Sequence, residues 1–278
     1  MSEKKWFAFG AATFAVGFVA LLALRRRPPQ ADVRGQPELA LETREEENDR
    51  VIHSLVVAVA GSAYLLMGTG GGREKAPDHT TYWARYADWA VTTPLLLLSL
   101  AVQALGSPFR RTALVGGLLA TDLYMIATGY LADKPARDDP RKWIWYAMSS
   151  GAFLGVYYLL WGPLREEAAK TGPEALGAYT RNAAFLSTVW AGYPLNFLAG
   201  PEGTGAIDEE SSTAIYAGLD IAAKVMFGLY SLGNTQEKAG KALAEGRVPK
   251  YELRPTTRAF HEAQEPGSPE EGEAGTAR

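Results

Sequence analysis

One strongly apolar run near the end of the chain contains both an acid and an amine, and it constrains the fold more than any other feature. The run covers residues 219–228 and reads LDIAAKVMFG. On a helix, Asp220 and Lys224 lie one turn apart on the same face. A charge at bilayer depth costs about 3 kcal/mol on insertion scales, so such residues are rare without a function. A desolvated lysine suits Schiff-base chemistry with an aldehyde, with the acid as counter-charge; from this run alone, a structural ion pair is an equally good interpretation.

The distribution of apolar residues predicts an all-α membrane protein with seven spanning helices. The mean hydropathy is slightly negative, but the polar residues are concentrated in loops and in the tail. Between them lie nearly uncharged stretches of about 20 residues, the length that a bilayer requires. The predicted spans are 6–24, 50–67, 82–105, 112–131, 143–161, 176–199 and 212–232. Residues 1–236 therefore form the transmembrane domain, with a polar loop at 25–48, and residues 237–278 form a largely disordered tail.

Basic residues in the short connections predict the orientation in the cell membrane. They occur at 25–27, 110–111, 165–170 and 238–241, all on one side, whereas the connection 200–211 has none. That side is predicted to be cytoplasmic, with the N-terminus outside and the C-terminus inside; the basic connections 73–75 and 134–142 are exceptions. The chain has no cysteine, which excludes disulfides and thiolate-bound metals, and no metal site is predicted. A net charge of −3 gives no sign of a nucleic-acid partner.

The third predicted span carries a second acid. Its residues 82–99 read YWARYADWAVTTPLLLLS, which places Arg85, Asp88 and Thr92 on one helical face. A second carboxylate beside a cationic imine permits proton transfer between imine and acid, and Arg85 balances the excess negative charge. Pro94 predicts a kink in the middle of the span.

These two stretches resemble the third and seventh helices of microbial (type I) rhodopsins, most closely those of the bacteriorhodopsin-like branch. Residues 190–194 (WAGYP) resemble the motif of the sixth helix that contacts retinal, residues 122–129 resemble the fourth helix, and residues 145–150 (WYAMSS) resemble the fifth. The resemblance covers residues 5–235. It implies a seven-helix bundle with all-trans retinal in its core, bound covalently to Lys224 as a protonated Schiff base.

The resemblance also implies roles for individual residues. Asp88 matches the proton acceptor and counterion, Asp220 the second counterion, and Arg85 the arginine that gates the extracellular half. The positions that match the retinal pocket are Trp89, Thr93, Leu96, Asp122, Met125, Gly129, Tyr146, Ser149, Phe153, Trp190, Tyr193, Pro194 and Phe197. Flat aromatic rings suit a polyene, although aromatic residues on membrane helices are also ordinary packing residues. Asp122 matches an acid near the ring end of retinal; a hydrogen bond between helices is its alternative role.

Ser99 departs from the pattern of the outward pumps. It occupies the position where they carry a carboxylic proton donor, eleven residues or about 16 Å beyond Asp88 along the helix. A serine hydroxyl does not titrate near neutrality, and no acid replaces it in the same half of the third, sixth or seventh span. His53 on the second span is then the one titratable candidate, because imidazole exchanges protons near neutral pH. A solvated or packing histidine is the alternative interpretation.

The predicted extracellular side shows a second departure. Glu202 matches one acid of the proton-release pair of the family, but Ser212 stands where the second acid is expected. Three acids at 208–210 lie nearby, and they either substitute for it or form a solvated acidic loop.

Three functions stay open at this point, none of them enzymatic, and the sequence does not exclude passive channel activity. An outward proton pump has its acceptor, arginine, second counterion and lysine, but without a carboxylic donor its reprotonation draws on the cytoplasm and is slow and pH-dependent. A photosensor that signals through a separate transducer also lacks the donor acid, although Ala223 stands where one class of sensors has a signalling threonine. The triplet Asp88, Thr92 and Ser99 resembles that of the xenorhodopsins, which are inward pumps, although that group lacks the acid found here at 220. The expected partners are the lipid bilayer, protons and other copies of the chain in a homo-oligomer.

Overall fold

The computed structural model describes residues 3–23 and 37–234, which form seven helical segments. The first four segments are α1 (Glu3–Ala23), α2 (Pro37–Gly68), α3 (Trp83–Leu105) and α4 (Thr112–Asp133), with a short 3-10 helix (Pro108–Arg111) before α4. The fifth joins α5 (Pro140–Leu159), a π-helical turn (Leu160–Leu164) and α6 (Arg165–Thr171). The sixth joins α7 (Pro173–Trp190) and α8 (Gly192–Ala199). The seventh begins with α9 (Glu209–Asp220), passes through a second π-helical turn (Ile221–Met226) and ends at residue 234.

The predicted all-α bundle is confirmed, but two of the predicted boundaries are wrong. The second segment begins at Pro37, so residues 37–48 are helical instead of forming the end of a loop. They consist mainly of Glu, Leu, Ala and Arg, which favour helix, and proline suits the first helical position. The fifth segment continues to Thr171 because α6 has glutamates in its first turn and Lys170 in its last, a charge order that stabilises a helix. Most of the predicted loop before residue 37 and the predicted tail lie outside the described residues.

Within the described part of the chain, five helices are long and apolar enough to cross a membrane. They are Glu3–Ala23, Glu47–Gly68, Trp83–Leu105, Phe109–Asp133 and Glu209–Asn234. The fifth and sixth segments are interrupted, one at the π-helical turn that contains Pro163 and the other at Ala191. Pro163 and Pro194 each remove a backbone donor there, which is a common cause of such breaks.

The first segment packs against the second so closely that only glycine fits at one position. A Cβ atom on Gly10 would lie 2.3 Å from Cδ1 of Tyr64, well inside van der Waals contact. The Tyr64 ring packs edge-on against Phe7 and Phe14, with ring centroids 5.9 Å and 5.1 Å away. This packing fixes the direction of the Tyr64 hydroxyl, which points into the bundle.

A short hairpin between α2 and α3 was not predicted. It pairs β1 (Glu74–Lys75) with β2 (Thr80–Thr81) in antiparallel register. The hairpin is tied to the end of α4 by His79, whose Nε2 lies 2.8 Å from Asp133 Oδ1. Acids on this side also pair with the basic residues that were exceptions to the charge pattern, since Lys134 lies 3.2 Å from Glu74.

Candidate functional site

Lys224 lies in the π-helical turn of the seventh segment, between two carboxylates. Its side chain is 1% exposed; Nζ donates a hydrogen bond to Asp88 Oδ2 and lies 2.9 Å from Asp220 Oδ1. A π-helical turn inserts one residue and redirects the side chains around it, and such turns are frequent at functional sites. The acid and amine predicted on one helical face are therefore paired, and the second acid predicted on α3 joins them.

The two carboxylates differ in how they are held. Asp220 accepts three hydrogen bonds besides that of the lysine, from Tyr64 at 2.7 Å, Tyr193 at 2.9 Å and Trp89 at 3.1 Å. Asp88 Oδ1 is buried and has no hydrogen-bond partner among the described residues. Because donors stabilise the ionised form of a carboxylate, the surroundings of Asp220 hold its charge more firmly than those of Asp88 do.

Arg85 lies one helical turn before Asp88, towards the predicted extracellular side. It is 5% exposed, and its guanidinium packs over the ring of Tyr216 at 4.1 Å. The Tyr216 hydroxyl in turn donates to Oε1 of Glu202 at 2.8 Å. Buried side chains therefore connect Arg85 with Glu202 through Tyr216.

Glu202 is a buried acid in the connection between α8 and α9. Burial and the nearby charge of Asp133 raise the pKa of Glu202 to about 6, against the opposing effects of Arg85 and Tyr216. The Ser212 hydroxyl lies in the same small space, because a Cβ on Gly200 would come within 2.6 Å of Glu202 Oε2 and 2.9 Å of Ser212 Oγ.

The neighbouring acidic stretch 208–210 begins α9. Asp208 is exposed and accepts a hydrogen bond from the backbone amide of Ser211 at 2.7 Å, which makes it the N-cap of that helix. This contact favours the solvated acidic loop over a replacement for the second release acid.

All the residues that we predicted around retinal line a single cavity. It encloses about 830 Å³ including its opening. The predicted residues that line it with Lys224 are Trp89, Thr93, Leu96, Asp122, Met125, Gly129, Tyr146, Ser149, Phe153, Trp190, Tyr193, Pro194 and Phe197. Their contact with retinal stays a prediction. Sequence reasoning missed five further lining residues, Tyr86, Ile126, Ser150, Tyr216 and Ala223, most of them adjacent or one helical turn away from a predicted one.

Asp122 makes the hydrogen bond between helices that was its alternative role. The Thr93 hydroxyl on α3 donates to Asp122 Oδ2 on α4 at 2.7 Å, and the acid is fully buried. The site therefore contains a third buried carboxyl group, remote from the lysine.

At the predicted cytoplasmic end, the structure corrects the sequence analysis. His53 is fully buried beside Ser99, as one expects of a candidate in proton exchange, but it is not the one titratable group there. Asp49, four residues earlier on α2, accepts a hydrogen bond from the Ser99 hydroxyl at 2.7 Å. Asp49 was missed because the second span was predicted to start at residue 50; its i, i+4 spacing from His53 was the available signal.

Comparisons with known proteins agree with this geometry. The profile of the family described as "Bacteriorhodopsin-like protein" matches residues 38–236. Bacteriorhodopsin from Halobacterium salinarum is 32% identical over 234 residues, which cover 83% of this chain and 82% of that protein. Bacteriorhodopsin from Haloterrigena sp. is 36% identical over 187 residues, covering 66% of this chain and 73% of that protein. Among solved structures, thermophilic rhodopsin from Rubrobacter xylanophilus has a TM-score of 0.74 at 32% identity, covering 86% of this chain and 98% of that one.

Proposed function

Because the chain belongs to the bacteriorhodopsin-like family, we propose that it binds retinal and works as a light-driven outward proton pump. It is a multi-pass membrane protein and a transporter, not an enzyme. The observation that carries the proposal is the buried lysine between two unequally held carboxylates. This arrangement supplies a proton on Lys224, an acid that can take it, and a fixed negative charge that stays behind.

The residues of the cavity fit a polyene aldehyde. Sites for small molecules are usually concave and lined by apolar and aromatic side chains with a few polar groups. The walls of this cavity are largely aromatic and apolar, and Lys224 supplies the amine for a covalent bond. When bound to Lys224 as a protonated Schiff base, retinal supplies light absorption and a change of shape on isomerisation.

Asp88 is the proposed acceptor of the proton from Lys224. A buried carboxylate oxygen without a hydrogen-bond partner is less costly once the group is neutral, and loss of the charge on Lys224 removes the ion pair that kept Asp88 ionised. Asp220 keeps its charge because Tyr64, Tyr193 and Trp89 continue to donate to it.

Release to the outside is proposed to run through Arg85 and Glu202. Once Asp88 is neutral, Arg85 loses an attraction towards the centre of the bundle and is drawn to the remaining acid beyond Tyr216. A guanidinium that comes closer to Glu202 stabilises the ionised carboxylate, so that Glu202 gives up its proton. This order of events moves one proton outward.

The test of the proposal is the light-induced pH change of a suspension of cells that express the protein with retinal, measured with and without a protonophore. Acidification that the protonophore abolishes and that is absent in Lys224→Ala supports the outward pump. Alkalinisation sensitive to the protonophore makes it an inward pump instead. A coloured, light-cycling protein without any pH change favours a sensor that acts through a separate transducer.

A further inference from the structure

Four buried polar side chains form a cluster at the predicted cytoplasmic end of the bundle, which we name the inner cluster. Asp49 and His53 come from α2, Ser99 from α3, and Ser231 from the seventh segment. Ser99 donates to Asp49 Oδ1 at 2.7 Å, and Ser231 donates to Asp49 Oδ2 at 3.2 Å. His53 Nε2 lies 3.3 Å from Asp49 Oδ1. The carboxyl group that Ser99 lacks is therefore supplied by a different helix, at the same place.

Asp49 and His53 are suited to hold one exchangeable proton between them. Both are more than nine-tenths buried, and a buried charge is stable only when an opposite charge or hydrogen bonds compensate it. Among the described residues, the side chains that α3 and the seventh segment bring onto the pair are uncharged, namely Ser99, Ser231 and Phe227. A proton that enters or leaves this pair therefore changes the net charge of the inner cluster.

His53 faces the seventh segment close to Lys224. Its ring packs edge-on against Phe227, with centroids 5.4 Å apart, and a Cβ on Gly228 would lie 3.4 Å from His53 Nδ1. These two residues follow Lys224 by three and four positions, so they lie about 4.5–6 Å further along the helix axis. His53 Nδ1 is buried and has no hydrogen-bond partner among the described residues. This nitrogen is the polar atom of the inner cluster that is free to pass a proton towards Lys224.

Apolar residues follow the inner cluster by one helical turn in the direction of the cavity: Val56 comes three residues after His53 on α2, and Leu96, which lines the cavity, comes three residues before Ser99 on α3. Val56 and Leu96 are fully buried and belong, with Phe227, to the main hydrophobic core. Such side chains have no polar groups to carry a proton, so the proton is passed on only after water has entered.

A chain of amide side chains connects the inner cluster to the end of the described seventh segment. Gln103 donates to Ser231 at 3.0 Å and to Ser99 at 3.3 Å. Asn182 donates to Gln103 Oε1 at 2.6 Å, and Asn234 donates to Asn182 Oδ1 at 2.9 Å. These hydrogen bonds give the inner cluster a polar connection towards the predicted cytoplasmic surface.

We propose that Asp49 and His53 together are the internal proton donor that restores the proton on Lys224 in each cycle. The N–H bond at Nδ1 of an imidazolium His53 breaks and, through water, an N–H bond forms at Nζ of Lys224. Neutral His53 and ionised Asp49 then carry a net charge of −1, which draws a replacement proton from the cytoplasm along the amide chain. The inference rests on the proposed outward pump, and it replaces the sequence-based expectation that reprotonation draws directly on the cytoplasm.

The experiment follows reprotonation of Lys224 by flash photolysis between pH 6 and pH 9 in the wild type, Asp49→Asn and His53→Gln. With an internal donor, the wild-type rate is nearly independent of pH. Without one, the proton comes from bulk water, and the rate falls about tenfold for each pH unit. We expect that dependence in both variants, recovery of the wild-type profile in Asp49→Glu, and restoration of the rate in Asp49→Asn by a small diffusible weak acid such as azide.

Glu47→Gln is the matched control, because Glu47 is an exposed carboxylate two residues away on the same helix. A second readout does not involve retinal: the nitrogen-15 NMR signals of the His53 ring in the retinal-free protein should shift in Asp49→Asn and stay in place in Glu47→Gln. The donor assignment is wrong, and the outward pump stands, if the wild type acidifies its medium while both donor variants keep a pH-independent rate of Lys224 reprotonation. The same holds if the nitrogen-15 signals of His53 do not change in Asp49→Asn. If the wild type does not acidify its medium, the outward pump is wrong, and the donor assignment falls with it.

Discussion

Replacing Glu202 by glutamine should abolish prompt proton release, and the size of the effect follows from the surroundings of the acid. A group with a pKa of about 6 is about 90% protonated at pH 5, about 50% at pH 6 and about 10% at pH 7. An approaching arginine lowers a carboxyl pKa by about 1–3 units. With a shift of about 2 units during the cycle, Glu202 releases about 0.8 proton at pH 5 and about 0.1 at pH 7.

The assay is a pH-indicator dye recorded after a flash, for the wild type and for Glu202→Gln, from pH 5 to pH 8. The wild-type prompt signal should be largest near pH 5 and decline to about one tenth of a proton at pH 7, with the remainder released late in the cycle. Glu202→Gln should lack the prompt signal at every pH. Asp138→Asn, which removes an exposed carboxylate on the same side, is the control and should match the wild type. Prompt release of nearly one proton at pH 8, or an unchanged signal in Glu202→Gln, would refute the reasoning.

Two further predictions concern stability and packing. Burial works against a charged His79, but hydrogen bonds to Asp133 and to the adjacent acid outweigh it and raise its pKa. The stabilisation is then complete below the unfolded value of 6.5 and is lost as the pH rises through the higher folded value. His79→Ala should lower the free energy of unfolding by about 2 kcal/mol, which corresponds to about 4–8 °C in the unfolding temperature measured by circular dichroism. The difference in unfolding temperature between wild type and variant should become smaller from pH 6 to pH 9. A difference that does not change with pH contradicts this prediction. Gly10→Ala should displace Tyr64, lower the unfolding temperature and shift the absorption maximum. Gly116→Ala, whose new Cβ would have no atom within 4 Å, is the control and should have none of these effects. Equal effects of the two substitutions would contradict the packing argument.

Most of the residues that line the cavity could be predicted, because they belong to local sequence motifs that resemble those of a known family. Trp89, Thr93 and Leu96 recur every three or four residues on α3, and Tyr193 and Pro194 follow Trp190 by three and four residues in the sixth segment. Helical periodicity places such residues on one face, and in a bundle that face points inward. Tyr86 belongs to the same series and was missed only because it matched no quoted pocket position.

Contacts between distant parts of the chain could not be predicted from the sequence. Tyr64 and Asp220 are 156 residues apart, and their hydrogen bond depends on how closely α1 lets α2 approach the seventh segment. The inner cluster could not be predicted for a related reason. Hydropathy placed the start of the second span at residue 50, because Asp49 and its neighbours are polar, whereas the helix continues through them. From the sequence alone, a polar residue at the end of an apolar span is assigned to a loop. Only the packing of the neighbouring helices shows that such a residue is helical and buried.

The most direct test of the account is the time-resolved infrared difference spectrum after a flash, recorded for the wild type, Asp88→Asn and Asp220→Asn. The account predicts that a carbonyl-stretch band of a newly protonated carboxylic acid appears in the wild type as Lys224 loses its proton. The band should persist in Asp220→Asn and disappear in Asp88→Asn. A band that survives in Asp88→Asn and is lost in Asp220→Asn would contradict the assignment of Asp88 as acceptor and Asp220 as fixed charge.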